Sequence, residues 1–261
     1  MQTTQKNMLA AGLAIAVTIG LAGCKPDRVS TKGAADGAAK AVAKFVADPN
    51  AGSVTGVVHF KGQAPARLQI DMTMDPACGK GAANLTEQYV VNNGGLANVY
   101  VYVKSGPAAA MQAGPMTSAP VVLDQVGCRY VPHVIAVMKG GVVEFRNSDG
   151  TMHNIHTMPQ SNPGVDVSEG PKGAPEQRRF DTPEVMIPVR CNNHPWMNAF
   201  INVSATPFFA VTDADGRFSI EGLPPGTYTL AAVHEKLGEQ TFQLTVASKS
   251  QATAEFTFAA Q

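Results

Sequence analysis

Charge is scarce in this sequence, and so are aromatic residues: 15% of the 261 residues are charged and 7% are aromatic. The 20 lysines and arginines match the 20 aspartates and glutamates, for a formal net charge of +0. There is no basic patch to neutralise a polyphosphate and no acidic tail to attract a polycation, which removes nucleic acids and polycationic partners from consideration. Long apolar runs are missing as well. The most apolar stretch, residues 8–19, is interrupted by Gly12 and Thr18 and is too short to span a bilayer. No long amphipathic helix can be read after residue 52, and no catalytic triad is found, so an enzyme is not expected. Cysteine is limited to 4 residues, Cys24, Cys78, Cys128 and Cys191, and each needs its own explanation.

The N-terminus has the layout of an export signal. Lys6 supplies the positive region, the apolar stretch follows, and Leu21-Ala22-Gly23-Cys24 closes it. That box resembles the bacterial lipoprotein cleavage site. The resemblance implies that the signal, residues 1–23, is removed and that Cys24 becomes a lipidated first residue. The mature protein is then periplasmic and held to the cell envelope, at the outer membrane in preference to the inner. Residues 24–52 are rich in Ala, Gly, Lys and Asp and read as a flexible tether.

From residue 53 onward the pattern is that of strands. Val54-Thr55-Gly56-Val57-Val58, Val99-Tyr100-Val101-Tyr102-Val103, Val142-Val143-Glu144-Phe145 and several later runs are dense in β-formers and separated by Gly, Pro and Asp turns. Short strands with a turn every eight to twelve residues or so predict an all-β protein of packed sandwiches.

The informative chemistry lies in Cys191-Asn192-Asn193-His194-Pro195-Trp196-Met197. One short loop between two apolar runs offers a thiolate, an imidazole and a thioether. A second nitrogen donor stands upstream in Met152-His153-Asn154-Ile155-His156. Two imidazoles and a thiolate with a weak axial thioether suit a copper ion that passes electrons, whereas structural zinc favours four strong ligands. The expected ligands are therefore His153, Cys191, His194 and Met197, holding one copper ion. His156, His133, His59 and His234 are expected to be structural or solvated.

The run Tyr130-Val131-Pro132-His133-Val134, continuing through Phe145-Arg146-Asn147-Ser148-Asp149 to His153-Asn154, resembles the cupredoxins, and the Cys-x-x-His-Pro-x-Met loop is most similar to that of amicyanin. The resemblance implies a Greek-key sandwich over residues 119–204 with copper at one end. It implies His153 rather than His156 as ligand and gives Asn154 the task of tying the two ligand segments together. The His194 ring edge is expected at the surface within a patch of Pro195 and Trp196, where electrons would leave for a partner such as a c-type cytochrome. A copper storage or delivery protein, and an adhesive or carbohydrate-binding sandwich, stay open as alternatives.

Ala210-Val211-Thr212-Asp213-Ala214-Asp215-Gly216-Arg217-Phe218 and the following Gly222-Leu223-Pro224-Pro225-Gly226 resemble the carboxypeptidase regulatory-like, transthyretin-like sandwich, assigned to residues 205–261. Asp215-Gly216 reads as a hairpin turn. The first strands of such a sandwich are missing just before Phe208, and similar strands occur within residues 53–118. Two arrangements follow: insertion of residues 119–204 into a split sandwich, slightly favoured, or a simple row of modules. Cys78 and Cys128 are left over, and in an oxidising compartment a disulfide is the economical reading, with two buried thiols as the alternative.

Overall fold

The computed structural model describes residues 48–81, 83–115 and 119–260. The export signal, Cys24 and most of the tether lie outside the described residues. The chain opens with β1 (Gly52–Lys61), β2 (Val91–Asn92), β3 (Gly95–Leu96) and β4 (Tyr100–Ser105), then a single helical turn, α1 (Ala108–Met111). Next come β5 (Val121–Gln125), β6 (Tyr130–Val131), β7 (Val134–Met138), β8 (Gly141–Asn147) and β9 (His153–Thr157). They are followed by β10 (Asp166–Glu169), β11 (Glu176–Phe180), β12 (Glu184–Arg190) and β13 (Asn198–Ser204). The last five are β14 (Phe209–Val211), β15 (Arg217–Leu223), β16 (Gly226–His234), β17 (Gly238–Val246) and β18 (Gln251–Ala259). The protein is all-β, as its turn spacing predicts. Among the described residues no helix is long and apolar enough to cross a membrane.

Two apolar cores organise these strands. β1 pairs with β15 and, in parallel, with β18, while β4 lies between β14 and β16. Their inward residues, among them Val54, Val58, Val101, Phe218, Tyr228, Phe256 and Phe258, form one core. β5 to β13 make two further sheets, ordered β11-β8-β5-β6 and β10-β9-β12-β13-β7. Leu123, Phe145, Ile155, Val189, Cys191, Met197 and Ile201 fill the space between them. The chain thus leaves the first sandwich after β4 and re-enters it at β14.

Local sequence explains the individual strands. Along β18 the side chains alternate, with Ala254, Phe256 and Phe258 buried and Glu255 and Thr257 outward, the period of two that a half-buried strand requires. Gly56 is where β1 is squeezed: a Cβ there would lie 1.8 Å from the Ala254 carbonyl oxygen and 2.7 Å from the Phe218 ring. Only a residue without a side chain admits that approach. The Asp213-to-Gly216 turn closes as its residues suggest, with Gly216 at φ 75 and Asp213 Oδ1 accepting from the amides of Asp215 and Arg217. It is not a hairpin, however. β14 pairs with β4 and β15 with β1, so the turn carries the chain from one sheet to the other.

His234 ends β16 within the first core, only 2% exposed, with its ring 5.8 Å from Tyr89 and 6.4 Å from Phe258. Burial lowers its pKa from 6.5 to about 4; Glu235 opposes that shift, while His133 and Lys236 add to it. Between those two values the unfolded chain binds the extra proton, so stability rises with pH across that window. The contribution is complete above about pH 6.5 and falls away toward pH 4. From pH 7 to pH 5 the wild type should lose about 2 kcal/mol more stability than His234→Phe. Chemical denaturation at the two pH values measures this, and equal losses in both proteins would refute it.

Candidate metal centre

The register of β9, β12 and β13 brings the two candidate ligand segments together. Arg190 on β12 pairs with both His156 on β9 and Asn198 on β13. The loop of residues 191–197 therefore leaves the sheet beside the start of β9, where His153 stands. Inside the loop the Met197 amide donates to the His194 carbonyl at 2.9 Å and the Cys191 amide to the Met197 carbonyl at 3.3 Å. These bonds curl the segment so that Cys191, His194 and Met197 are buried.

His153 Nδ1 lies 2.9 Å from His194 Nδ1, and Cys191 Sγ lies 3.6 Å from the same nitrogen. Donor atoms of all three residues fall within 4.8 Å of one another. Met197 belongs to the same core cluster as Cys191. Facing nitrogens this close cannot both carry protons, and their lone pairs can converge on one ion. Cys191 is the free cysteine among the described residues, and its sulfur accepts the Asn154 amide at 3.3 Å. The donor set is soft and wholly buried, which fits a metal with affinity for sulfur and imidazole.

Asn154 knits the surroundings. Its Nδ2 donates to Asp166 Oδ1 and to the Val167 carbonyl, each at 3.0 Å, and its Oδ1 accepts the Asn192 amide at 3.3 Å. The ring of Tyr130 is buried beside it, and its hydroxyl donates to the Asn154 carbonyl. His156 stays outside the donor group: its Nδ1 meets Asn192 Oδ1 at 2.9 Å and the side chain is half-buried.

Two aspartates that the sequence reading did not single out complete the site. His153 Nε2 faces Asp149 Oδ2 at 2.8 Å, and His194 Nε2 faces Asp75 Oδ2 at 3.0 Å. A carboxylate only accepts, so each Nε2 carries the proton and each Nδ1 is left to bind. Amide donation from Ala77, then the Thr151 hydroxyl, holds the Asp75 carboxyl below its ordinary pKa. Burial is the main cause that lowers the pKa of His153. Asp149 had one local signal, its place four residues ahead of a candidate ligand. Asp75 had none, because it bonds across 119 positions of sequence.

Asp75 arrives on residues 68–86, a segment folded back on itself by bonds from the Ile70 amide to Asn84 and from the Thr86 amide to Leu68. Cys78 on this segment is bridged to Cys128, with Cα atoms 5.6 Å apart. The Cys78 sulfur lies 3.9 Å from His194 Nε2. The same segment changes the expected exit surface. His194 is only 4% exposed, because the Asp75 carboxylate and the disulfide cover the ring edge that was expected to reach solvent. Pro195 is exposed, whereas Trp196 is half-buried, its ring 5.0 Å from that of His194 and its Nε1 donating to the Cys128 carbonyl at 3.1 Å.

A family model described as carboxypeptidase regulatory-like domain matches residues 189–259. The match begins inside β12, ahead of residue 205 where the sequence pattern starts the module. No curated protein matches the chain. Among solved structures the chain is similar to a copper-containing nitrite reductase from Thermus scotoductus SA-01, at 24% identity and a TM-score of 0.31, covering 35% of this chain and 24% of that one. The chain thus spans about a quarter of that protein's length. It is similar to a purple cupredoxin from Nitrosopumilus maritimus at 19% identity and a TM-score of 0.28, covering 32% of this chain and 99% of that one. A reduced Cu(I) form of amicyanin is matched at 18% identity and a TM-score of 0.30, over 41% of this chain and 99% of that one.

Proposed function

We propose that this chain is a copper-binding electron carrier of the cell envelope, anchored through a lipid on Cys24 and held in the periplasm. The observation that carries the reading is the buried convergence of His153 Nδ1, His194 Nδ1 and Cys191 Sγ, with Met197 in the same core. Two imidazoles, one thiolate and a thioether are the donor set of electron-transfer copper. Bound there, copper supplies a one-electron couple between Cu(I) and Cu(II).

The protein's part is to keep the donors in place while the charge changes. The amide of Asn154 on Cys191 Sγ and the turn bonds within residues 191–197 fix the loop without help from solvent. Asn154 and Tyr130 brace β9, so neither His153 nor Cys191 can swing away from the centre. Donors set in advance need little rearrangement at each transfer. Trp196 against His194, followed by exposed Pro195, offers a route to a partner such as a c-type cytochrome.

The test separates a carrier from a delivery protein and from a sandwich without metal. Titration with Cu(II) should give an intense visible band that saturates at one ion per chain. In repeated stopped-flow reduction and reoxidation with a Cu(I) chelator present, the band should return in full. Loss of the ion to the chelator at each reduction would favour delivery, and absence of binding would reject copper altogether.

A further inference from the structure

The two carboxylates behind the histidines form a matched pair. Asp149 accepts the Gly127 amide at 2.7 Å, the Cys128 amide at 2.8 Å and His153 Nε2 at 2.8 Å. Asp75 accepts the Ala77 amide at 2.7 Å, the Thr151 hydroxyl at 2.9 Å and His194 Nε2 at 3.0 Å. The backbone donors on each aspartate lie at or next to one half of the Cys78–Cys128 bridge. One covalent link therefore joins the two turns that aim the two carboxylates. Besides the two carboxylates, the hydrogen-bond contact at these imidazole Nε2 atoms among the described residues is the Cys78 sulfur of the bridge itself, a weak acceptor 3.9 Å from His194 Nε2.

We propose that Asp75 and Asp149, locked by the Cys78–Cys128 bridge, are positioning residues that bias the centre toward its oxidised state. The proposal rests on the copper reading above and says what sets that centre's potential. The physical reason is charge. Each carboxylate stands one imidazole ring away from the donors. Its own side chain is partly open to solvent, but the ring between it and the donors is buried, so its charge is only partly screened there. It keeps the ring's proton on Nε2, makes Nδ1 a stronger donor, and favours the state of the ion with the greater positive charge. A ring edge open to water would lack this bias.

Asp75→Asn and Asp149→Asn keep the size of the side chain and an accepting oxygen but remove the negative charge. Each should retain the visible band. Each should weaken Cu(II) relative to Cu(I) by about tenfold, the scale for losing an outer partner of a metal-ligating histidine. For one electron that is a positive shift of about 59 mV in the reduction potential. Thr151→Val should move the potential the opposite way. It frees Asp75 Oδ2 from a competing donor and strengthens the carboxylate's hold on His194. A purely structural role would not give shifts of opposite sign. If Asp75→Asn does not fold, Asp149→Asn and Thr151→Val still decide. Potentials unchanged in coloured variants, or a Thr151→Val shift in the same direction as the aspartate variants, would overturn the proposal. A wild-type protein with no band on adding copper would instead reject the copper reading beneath it.

Discussion

Replacing Cys191 by serine abolishes the visible band of the copper-loaded protein. The band would arise from charge transfer between a thiolate and Cu(II), and a hydroxyl is too hard a donor to supply it. Serine fits the space: Cys191 is buried, and its sulfur accepts the Asn154 amide, which a hydroxyl oxygen can also do. The fold is therefore expected to survive, and the loss is one of metal chemistry. Copper affinity should fall by more than the 10- to 100-fold or so that removal of an outer partner costs. His153→Ala opens the site and alters the spectrum. His156→Ala is the control and leaves the band intact, because its ring bonds Asn192 and stands outside the donor group. A coloured Cys191→Ser protein, or a colourless His156→Ala protein, would show that the ligand set is wrong.

The donor loop was legible because its chemistry is local. Cys191, His194 and Met197 stand three residues apart, and the apolar runs on either side already mark the strands that present them. His153 was legible through a neighbour, Asn154, on a recognisable strand. The covering of the site was not legible, for a physical reason. Among the described residues of 68–86 there is no β strand beyond an isolated bridge between Gln69 and Leu85, and the sequence shows no alternating pattern. The segment's position is set by a disulfide and by bonds such as Thr151 to Asp75, 76 positions apart. No local period encodes such links. The expectation that His194 reaches the surface came from a resemblance confined to residues 119–204, so it left out the earlier segment that hides the ring. The Asp215-Gly216 turn shows the same division. Its positive φ was readable from two residues, but the partners of β14 and β15 are chosen by ladders to β4 and β1, more than a hundred residues away.

Removing the bridge with Cys78→Ala and Cys128→Ala together should cost about 4 kcal/mol, the loop-entropy value for a cross-link that closes some 50 residues. The cost falls on the sandwich that holds the metal donors, because Cys78 and Cys128 both pack in its core. Trp196 is the only tryptophan of the chain and donates to the Cys128 carbonyl, so its fluorescence reports unfolding at this place. The urea midpoint followed by that signal should drop, and thermal unfolding should come about 10 °C earlier at 2–4 °C per kcal/mol. A second effect separates this link from one that only shortens the unfolded chain. Without it, residues 68–86 lose their covalent hold on the turn at Gly127 and Cys128, and Asp75 is no longer aimed at His194. Under conditions where the variant is still fully folded, its copper should be lost to a chelator faster than that of the wild type. If the midpoint drops and the copper release rate does not change, the bridge stabilises the sandwich without guarding the centre. A loss below about 1 kcal/mol would mean that the reduced chain keeps residues 68–86 in place through its hydrogen bonds alone.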